Sequence, residues 1–493
     1  MTEGERSPAW GSSLSWQSLN VLLQVMLQLA YMSLLARWIG VEDFGVMAIA
    51  LVVVGIAEMF AQLGMGPSLI QKDDLSPAHM ATAWWFSAGL GLLFFAGMVV
   101  AAPWIAAHHE QPLLIEVLRW ISLSFVISGF SVVSRSVLIR NMNFKALTLC
   151  ALVGMVVGNL LVGLILAWNG AGIWAYVSAL LVQNLTLSLG YLVLARVPIQ
   201  RGFHIQAFRD LIGYGARSTA FNMLTYAAAK IDIWLVGGAL GERQTGWYDR
   251  AVYLMGLPIT VLGKLGDSVL FSGMSSIQNE LDVMRHVTLR AMHFVALLTF
   301  PLTAMLVVHA EGITLLFLGE KYSDAVPVAQ VLFAAVAFRA LTKLGDANLR
   351  AMDGLKAGIF IKLVFLLAVG IGVHWALTHE QGLVGVARAI VLASALQWVL
   401  TTFWSQHHLG FRWGEAARTM ASGLLVALAV GGALQAMTLS WWIEVLVCMT
   451  GATALMVLWP DLLVPAWSDA TGDLRQSMSE RMPIKWLRNR WEN

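Results

Sequence analysis

Fourteen stretches of about 20 mostly apolar residues run through the chain, each long enough to cross a bilayer core as a helix. Because lipid offers the backbone no hydrogen-bonding partners, such stretches must be helices rather than open strands. Only 12% of the residues are charged, too few to cover a water-facing surface of this size. The sequence therefore predicts an all-α polytopic membrane protein. The predicted helix centres are Met26, Gly55, Gly91, Phe125, Val157, Leu185, Tyr226, Leu257, Leu302, Val336, Val369, Ser394, Ala427 and Met449.

The distribution of Lys and Arg predicts how these helices are oriented. With the amino terminus in the cytoplasm, nineteen basic residues, Arg135 among them, fall in inside loops or in the C-terminal tail, and four fall in outside loops. Both termini are therefore predicted to be cytoplasmic. The four outside residues are Arg37, Arg243, Arg250 and Lys321.

The chain repeats itself once, at a spacing of about 200 residues. Residues 40–45 (Gly-Val-Glu-Asp-Phe-Gly), after the first helix, correspond to residues 241–246 (Gly-Glu-Arg-Gln-Thr-Gly), after the seventh, at an offset of 201. Later in the repeat the offset is 210, where residues 138–142 correspond to 348–352 and residues 172–173 to 382–383. Two repeats of six helices cross the membrane in the same sense, and such parallel repeats form two lobes with a substrate site between them.

This repeat predicts four parts of the chain. The first lobe is residues 1–205, and the second lobe is residues 206–405. Helices thirteen and fourteen, at 406–465, lie outside the repeat. The cytoplasmic tail, 466–493, ends in a basic amphipathic segment that predicts an interfacial helix, with a disordered basic tail as the alternative.

A stripe of polar residues marks the first helix of each predicted lobe. Gln17, Asn20, Gln24, Gln28 and Tyr31 are spaced by three or four residues, which places them on one helical face. The corresponding stripe on helix seven consists of Asn222, Tyr226 and Lys230. Two such stripes facing each other would line a wet central cavity. The alternative is that they hydrogen-bond to neighbouring helices within a lobe.

Helix ten carries four charged residues on a narrow stripe, at spacings of four, three and four: Arg339, Lys343, Asp346 and Arg350. Three cations on one face suit an anion such as a diphosphate. Arg339 and Lys343 are therefore predicted to contact substrate. The alternatives are that Asp346 and Arg350 sit at the cytoplasmic interface and that Lys343 pairs with Asp346.

Two carboxylates, Glu58 of helix two and Asp232 of helix seven, lie within predicted spans. A membrane carboxylate can carry a coupling proton or Na⁺, but it can equally be a neutral acid or half of a salt bridge. No cofactor or metal site is predicted, because His108 and His109 do not share a helical face and are expected to be solvent-exposed. A net charge of +2 gives no sign of nucleic-acid binding.

Six motifs are spread along the chain: Leu-Ala-Arg at 35–37, Glu-Asp-Phe-Gly at 42–45, Leu-Gly-Met-Gly at 63–66, Arg-Asn-Met-Asn-Phe-Lys at 140–145, Tyr-Asp-Arg-Ala at 248–251 and Leu-Gly-Glu-Lys-Tyr at 318–322. They resemble the Wzx-type polysaccharide flippases, and most closely their colanic-acid exporter branch, within the superfamily that includes the MATE multidrug exporters. The resemblance covers roughly residues 12 to 405. One departure is Phe-Ser-Gly-Met at residues 271–274, where relatives often carry Phe-Pro.

This resemblance implies a transporter of the bacterial inner membrane, not an enzyme. It implies an undecaprenyl-diphosphate-linked oligosaccharide as substrate, alternating access between two lobes, and a polysaccharide polymerase or other assembly proteins as partners. A drug or cation antiporter on the same architecture is one alternative. A membrane-bound glycan polymerase or ligase is a weaker one, because the outside loops are short for an enzyme.

Overall fold

A computed structural model describes residues 10–72, 74–197, 202–276, 280–352 and 354–436, and every regular element in these ranges is helical. The α-helices there are α1 Trp10–Trp38, α2 Val41–Gln62, α3 Met65–Gln71, α4 Pro77–His108, α5 Leu113–Ile121, α6 Leu123–Arg140, α7 Phe144–Gly154, α8 Leu164–Trp168, α9 Ile173–Ala195, α10 Ile205–Ser276, α11 Leu281–Val308, α12 Ala310–Leu318, α13 Val326–Phe333, α14 Ala335–Ala351, α15 Leu355–Thr378, α16 Gly382–Leu409 and α17 Trp413–Ala436.

Two further helical segments join these elements. A π-helical segment, Met155–Gly163, connects α7 to α8, so that Phe144–Trp168 forms one candidate span. A 3₁₀ segment, Glu320–Ala325, precedes α13. Within the π-helical segment, a Cβ on Gly158 would lie only 2.6 Å from the Gln183 backbone nitrogen of α9. Small residues permit this close approach of helices in a membrane, where packing replaces the hydrophobic effect between helices.

Local sequence signals account for several helix ends. Ser76 caps α4 by accepting a hydrogen bond from the His79 backbone N–H at 3.4 Å, and Pro77 follows in the first turn. Asn143 caps α7 in the same way through Ala146 N–H, at 3.2 Å. Gly410 ends α16 in the left-handed conformation, at φ 70°, which glycine adopts without a steric penalty.

Predicted helices seven and eight are both contained in α10. Non-helical backbone at Gly241, with φ 79° and ψ 179°, divides α10 into a first arm, 205–240, and a second arm, 242–276. A non-glycine residue would be strained at this φ. The repeat glycine Gly241 is therefore the point at which the chain turns between the two arms.

Within the described residues, nine helical stretches are long and apolar enough to cross a membrane, or ten if the bent pair Glu320–Phe333 and Ala335–Ala351 forms one span. Every predicted centre except Met449 lies in one of the described helical segments, and Met449 lies outside the described residues. The polytopic helical class is confirmed, whereas the count of fourteen and the division into lobes stay predictions.

The main apolar core lies where the two predicted lobes meet. It includes Leu35 of α1, Phe44 of α2, Tyr176 of α9, Tyr248 of α10 and Phe333 of α13, all of them buried. The most extensive packing between helices joins α2 to α10. Helix α17, which lies beyond the repeat, packs mainly on α11. The core thus ties the first helices of one predicted lobe to those of the other.

Candidate functional site

The two predicted lobes meet most closely where α2 crosses the second arm of α10. A Cβ on Gly45 would lie 1.8 Å from the carbonyl oxygen of Glu242, and a Cβ on Gly246 would lie 2.1 Å from that of Val41. At the repeat offset of 201, Gly45 corresponds to Gly246 and Val41 to Glu242. The two contacts are thus exchanged by the repeat, and we call this crossing the outer seam, since it lies at the end predicted to face the periplasm.

Charged and polar groups surround the outer seam. Glu42 and Arg243, which are also repeat equivalents, form an ion pair at 3.4 Å between Oε1 and Nε. Gln111 donates a hydrogen bond to the Glu242 carboxylate. Arg37 donates to the Leu316 carbonyl at 2.6 Å, so the basic residues predicted for the outside loops are used in contacts between the two predicted lobes.

Arg250 does not lie in an outside loop as predicted but is buried in the core, with 4% of its surface exposed. Its guanidinium pairs with Asp249. It also lies 4.4 Å from the ring centroid of Phe44 and 5.2 Å from that of Tyr253. Because an unpaired cation is costly in this environment, the ion pair and the aromatic rings explain how Arg250 can be buried. The Tyr-Asp-Arg-Ala motif therefore serves packing between α2 and α10.

His109 also departs from the prediction of solvent exposure. His108 is exposed, but only 4% of the surface of His109 is. The His109 ring packs edge-on against Trp234 of α10, with 4.4 Å between ring centroids. Neither of its ring nitrogens has a hydrogen-bonding partner of good geometry among the described residues. Adjacent histidines thus belong to the contact between α4 and the first arm of α10.

Tyr226 of the helix-seven polar stripe bonds across the lobes rather than within one. Tyr226 Oη donates to the Leu51 carbonyl of α2 at 2.8 Å, and its ring occupies the space that a Cβ on Gly55 would need. Tyr253 of the second arm donates in turn to the Gln28 carbonyl of α1 at 3.4 Å. The structure therefore brings Tyr226 and Gln28 to the contact between the two predicted lobes.

The remaining stripe residues differ in their surroundings. Asn222 is exposed, and Lys230 and Gln24 are partly exposed. Gln24 has an interaction partner. The side chain of Asn20 falls outside the described part of α1, as does that of Gln17. A shared wet cavity between the stripes accordingly stays a prediction.

Arg339 lies within a polar network of the second lobe. Its Nε donates to Ser394 Oγ of α16 at 3.2 Å, and its charge is attracted by Asp232. Asp232 itself is buried and accepts a hydrogen bond from Tyr248 Oη at 2.7 Å. Asp232 lies on the first arm of α10 and Tyr248 on the second. The network therefore holds both arms together and places a carboxylate from another helix near Arg339.

Lys343 is exposed. Asp346, which the alternative prediction paired with Lys343, forms its ion pair with a different lysine. Asp346 pairs with Lys362 Nζ of α15 at 3.5 Å. A Cβ on Gly263, in the second arm of α10, would lie 4.0 Å from Lys343 Cε. The alternative pairing of Lys343 with Asp346 is therefore wrong. Lys343 instead extends from α14 toward the second arm of α10.

Glu58 forms a polar cluster in the first lobe. Its Oε1 accepts hydrogen bonds from Ser128 Oγ of α6 at 2.8 Å and from Gln62 Nε2 at 3.2 Å. The positive charge of Arg135, also on α6, attracts the Glu58 carboxylate. Arg135 was expected in an inside loop but lies within a helix. Its spacing of seven residues from Ser128 is the sequence signal that would have placed it on the same face.

Helix α17 is tied to α11 by polar groups as well as by apolar packing. Arg285 Nη2 donates to both carboxylate oxygens of Glu415, at 2.8 and 2.9 Å. His293 Nδ1 lies 3.1 Å from the Thr419 carbonyl. A Cβ on Gly423 would lie 2.7 Å from the Ala296 carbonyl oxygen, so the two backbones are in close contact. These contacts attach predicted helix thirteen to the second lobe.

No group of three or more His, Cys, Asp or Glu side chains is placed to hold a metal ion within the parts of the chain that the structure describes. The cationic side chains inside the helices include Arg135 and Arg339, each near a carboxylate, and Lys343, which is exposed. Such groups suit the binding of an anion or the movement of a proton.

The fold is similar to those of known flippases and exporters. A structure titled "Lipid II flippase MurJ, inward closed conformation" aligns with a TM-score of 0.75 at 14% identity, covering 91% of this chain and 100% of that one. An inward-facing multidrug resistance MATE family transporter of the MOP superfamily aligns with a TM-score of 0.62 at 16% identity, covering 80% of this chain and 98% of that one. At these identities the likeness concerns the fold.

Sequence comparison gives the family. The chain is 24% identical over 405 residues to the lipopolysaccharide biosynthesis protein WzxC of Escherichia coli (strain K12), covering 80% of each chain. It is 22% identical over 424 residues to the teichuronic acid biosynthesis protein TuaB of Bacillus subtilis (strain 168), covering 85% of this chain and 87% of that one. The family model described as "Polysaccharide biosynthesis protein" matches residues 34–327, more than half of the chain. The resemblance noted in the sequence motifs is confirmed, and the chain belongs to this polysaccharide biosynthesis protein family.

Proposed function

We propose that the protein is a flippase that moves an undecaprenyl-diphosphate-linked oligosaccharide repeat unit across the bacterial inner membrane. The observation that carries the proposal is Arg339, a cationic side chain inside a helix of a MurJ-like fold, beside Ser394 and near the buried Asp232. A glycan head cannot cross hydrocarbon unaided, because its hydroxyls would lose their hydrogen bonds to water. Guanidinium and ammonium groups supply the positive charge that a diphosphate needs in a membrane.

Alternating access between the lobes is part of the proposal. The outer seam joins the lobes through backbone contact at Gly45 and Gly246, while Lys343 and Asn222 are exposed. Release of substrate to the periplasm then requires the outer seam to separate. At the outer seam itself the contacts include glycines, backbone carbonyls and the Glu42–Arg243 ion pair, so separation exposes carbonyls and charged groups that water solvates readily.

A coupling ion is proposed for the second lobe rather than the first. Asp232 is buried and has a hydroxyl and a cation nearby, so it could gain or lose a proton as Arg339 exchanges its partner for the substrate. Glu58 already accepts two hydrogen bonds from within its own lobe. We therefore regard Asp232 as the better candidate for coupling to H⁺ and Glu58 as a counter-charge.

The charge pattern supports an orientation in the inner membrane with both termini in the cytoplasm. Reporter fusions at Gly170, in a predicted outside loop, should report the periplasm, and fusions at Ser468, in the tail, should report the cytoplasm. A periplasmic signal at Ser468 would contradict the predicted even number of spans, and therefore also the predicted parallel repeat.

Transport by the purified protein in liposomes tests the function. The substrate is a short polyprenyl diphosphate that carries a fluorescent oligosaccharide, placed on one leaflet and detected on the other by a lectin. We expect the protein to accelerate its movement, and a polyprenol-linked neutral glycan to move much more slowly. Export of cationic drugs without any movement of the glycolipid would instead support an antiporter. Hydrolysis or polymerisation of the glycan would point to an enzyme.

A further inference from the structure

Each predicted lobe holds one arginine near a carboxylate and a hydroxyl group. In the second lobe, Arg339 of α14 lies near the Asp232 carboxylate and the hydroxyl of Ser394 on α16. In the first lobe, Arg135 of α6 attracts the Glu58 carboxylate and lies beside the hydroxyl of Tyr191 on α9. At the repeat offset of 210, α6 corresponds to α14 and α9 to α16, so the arginines and the hydroxyl groups lie on equivalent helices. The carboxylates do not, because Glu58 is on α2 and Asp232 is on the first arm of α10.

The two arginines lie at different depths. Arg135 is five residues before Arg140, whereas Arg339 is eleven residues before Arg350, the repeat equivalent of Arg140. A difference of six residues on a helix is about 9 Å. With the predicted orientation, Arg135 lies nearer to the cytoplasm than Arg339. The two guanidinium groups thus mark successive levels of one pathway.

Arg135 is also available to a ligand in a way that Arg140 is not. The guanidinium of Arg140 donates to the carbonyls of Leu69 and Ile70, at 3.1 and 3.3 Å, and so fixes the end of α3. Arg135 is exposed, its guanidinium interacts with the neutral Tyr191 hydroxyl, and it makes no ion pair within 4.0 Å with any described residue. An exposed guanidinium inside a candidate span is costly unless water or an anion meets it.

The face of α6 that carries Arg135 is turned to the contact between the lobes. Ser128, two turns before Arg135 on the same face, donates to Glu58 of α2. Helix α2 packs on α10 of the second lobe, and the Tyr226 ring of α10 lies against Gly55, three residues before Glu58 on α2. Arg135 therefore belongs to the same interlobe region as the polar stripe of helix seven.

We propose that Arg135 is a second phosphate-binding residue of the pathway, which engages the diphosphate near its cytoplasmic end, and that the nearby Glu58 carboxylate limits how tightly the diphosphate is held there. This inference rests on the proposed function, and it names the group that receives the diphosphate before Arg339 does. The guanidinium fork can grip two phosphate oxygens at once. The Glu58 carboxylate repels the same phosphate, so it limits the affinity and promotes release toward Arg339.

Binding of farnesyl diphosphate to the purified full-length protein tests the assignment, with uncharged farnesol as the reference ligand. Titration calorimetry on Arg135→Ala should show about tenfold weaker binding of farnesyl diphosphate and unchanged binding of farnesol. Arg135→Lys should fall between Arg135→Ala and the wild type, because an ammonium lacks the fork. Arg209→Ala, which removes the same charge from an exposed position at the start of α10, is the matched control and should bind like the wild type.

The Glu58→Gln substitution distinguishes a role of Arg135 and Glu58 in binding the diphosphate from a purely structural role. Loss of the repelling carboxylate should tighten farnesyl diphosphate binding several-fold and slow transport in liposomes, lowering KM and kcat together. A purely structural contact between Glu58 and Arg135 would instead weaken both variants alike. If Arg135→Ala does not fold, Arg135→Lys and Glu58→Gln still carry the test.

Failure of the role assigned to Arg135 can be distinguished from failure of the proposed flippase function. If the wild type transports the glycolipid but Arg135→Ala binds farnesyl diphosphate as tightly as Arg209→Ala does, the role of Arg135 is overturned and the flippase stands. If the wild type does not prefer farnesyl diphosphate to farnesol and moves no glycolipid, the flippase function and the role of Arg135 fall together.

Discussion

Gly45 and Gly246 hold equivalent positions in the two repeats, and each lies against a backbone carbonyl oxygen of the other repeat's segment, that of Glu242 and that of Val41. The repeat is weak in the sequence, but in the structure its equivalent residues make reciprocal contacts. Any side chain larger than hydrogen at either position must push the two helices apart. The outer seam is consequently the part of the interlobe contact most sensitive to a single methyl group.

Gly45→Ala should separate the outer seam. The added Cβ meets rigid backbone rather than a flexible side chain, so we expect overpacking to cost the closed seam about 1–3 kcal/mol. The distance between spin labels at Asn169 and Gln381, which are exposed on the predicted outside loops of the two lobes, should increase in a cysteine-free background. Gly89→Ala in α4, where a Cβ meets nothing within 4 Å, is the matched control. An unchanged distance in Gly45→Ala would show that the seam yields elsewhere.

Low external pH should favour the separated seam through His109, which follows the last residue of α4. Burial lowers the pKa of the His109 imidazole, and the nearby His108 acts in the same direction, whereas the Gly237 backbone opposes it. A conformation that exposes the ring restores its usual pKa of about 6.5 and therefore binds more protons. The closed seam then loses stability as the pH falls through that range.

The same pair of spin labels measures this effect. Between pH 7.5 and 5.5 we expect the distance distribution of the wild type to shift to longer values and that of His109→Phe to stay the same. The charged groups near this contact are His108, Glu110, Glu242 and the Glu42–Arg243 pair, and none of them is changed in the variant. His286→Phe, at an exposed histidine, should behave as the wild type does. A pH shift that persists in His109→Phe would assign it to another group.

Arg339→Ala should leave the protein in the membrane but reduce export of the polysaccharide by about tenfold, because the deeper phosphate contact is lost. The measurement is polymer at the cell surface, normalised to protein in the membrane. Arg339→Lys should restore only part of the export, since an ammonium cannot make the bidentate contact.

The Asp232→Asn substitution tests whether Arg339 binds the substrate or only neutralises the Asp232 carboxylate. If Arg339 were merely the counter-ion of Asp232, the double variant Arg339→Ala/Asp232→Asn would recover both export and protein level, because no buried charge would remain unpaired. We expect export to stay low in the double variant. Full recovery would remove Arg339 from the pathway.

Glu415→Gln should loosen α17 from α11 by a small amount. The Arg412 backbone N–H holds the pKa of the Glu415 carboxyl below its usual range; burial opposes this, and the charge of Arg285 adds to the lowering. The contact therefore contributes above the usual pKa of about 4.3 and is lost as the pH falls through the lowered value. Because both side chains are partly exposed, the effect should be roughly 0.2–1 kcal/mol.

Thermal unfolding in detergent checks this expectation. At pH 7 the variant should melt slightly below the wild type, and the difference should shrink as the pH is lowered toward 4. Glu110→Gln, at an exposed residue of an outside loop, is the control for the loss of one carboxylate. An equal difference at both pH values would mean that the ion pair is not the source of the stability.

The sequence by itself determined the class of protein, because apolar stretches of membrane length leave the backbone only one way to satisfy its hydrogen bonds. It also indicated the repeat, through Gly40 to Gly45 and its counterpart, and the family, through motifs spread along the chain. Those are local properties: length, spacing and residue order, which need no knowledge of which helices touch.

Only the tertiary structure decided which polar groups meet. The distribution of basic residues predicted that Arg250 lies in an outside loop. In the structure, Arg250 is instead in contact with Asp249 and with the rings of Phe44 and Tyr253. Arg135 was likewise predicted to lie in an inside loop. In the structure it lies on α6, near Glu58, a residue 77 positions earlier in the chain. The cost of a buried charge depends on partners brought in by other helices, and helix spacing alone reports only the partners on its own helix.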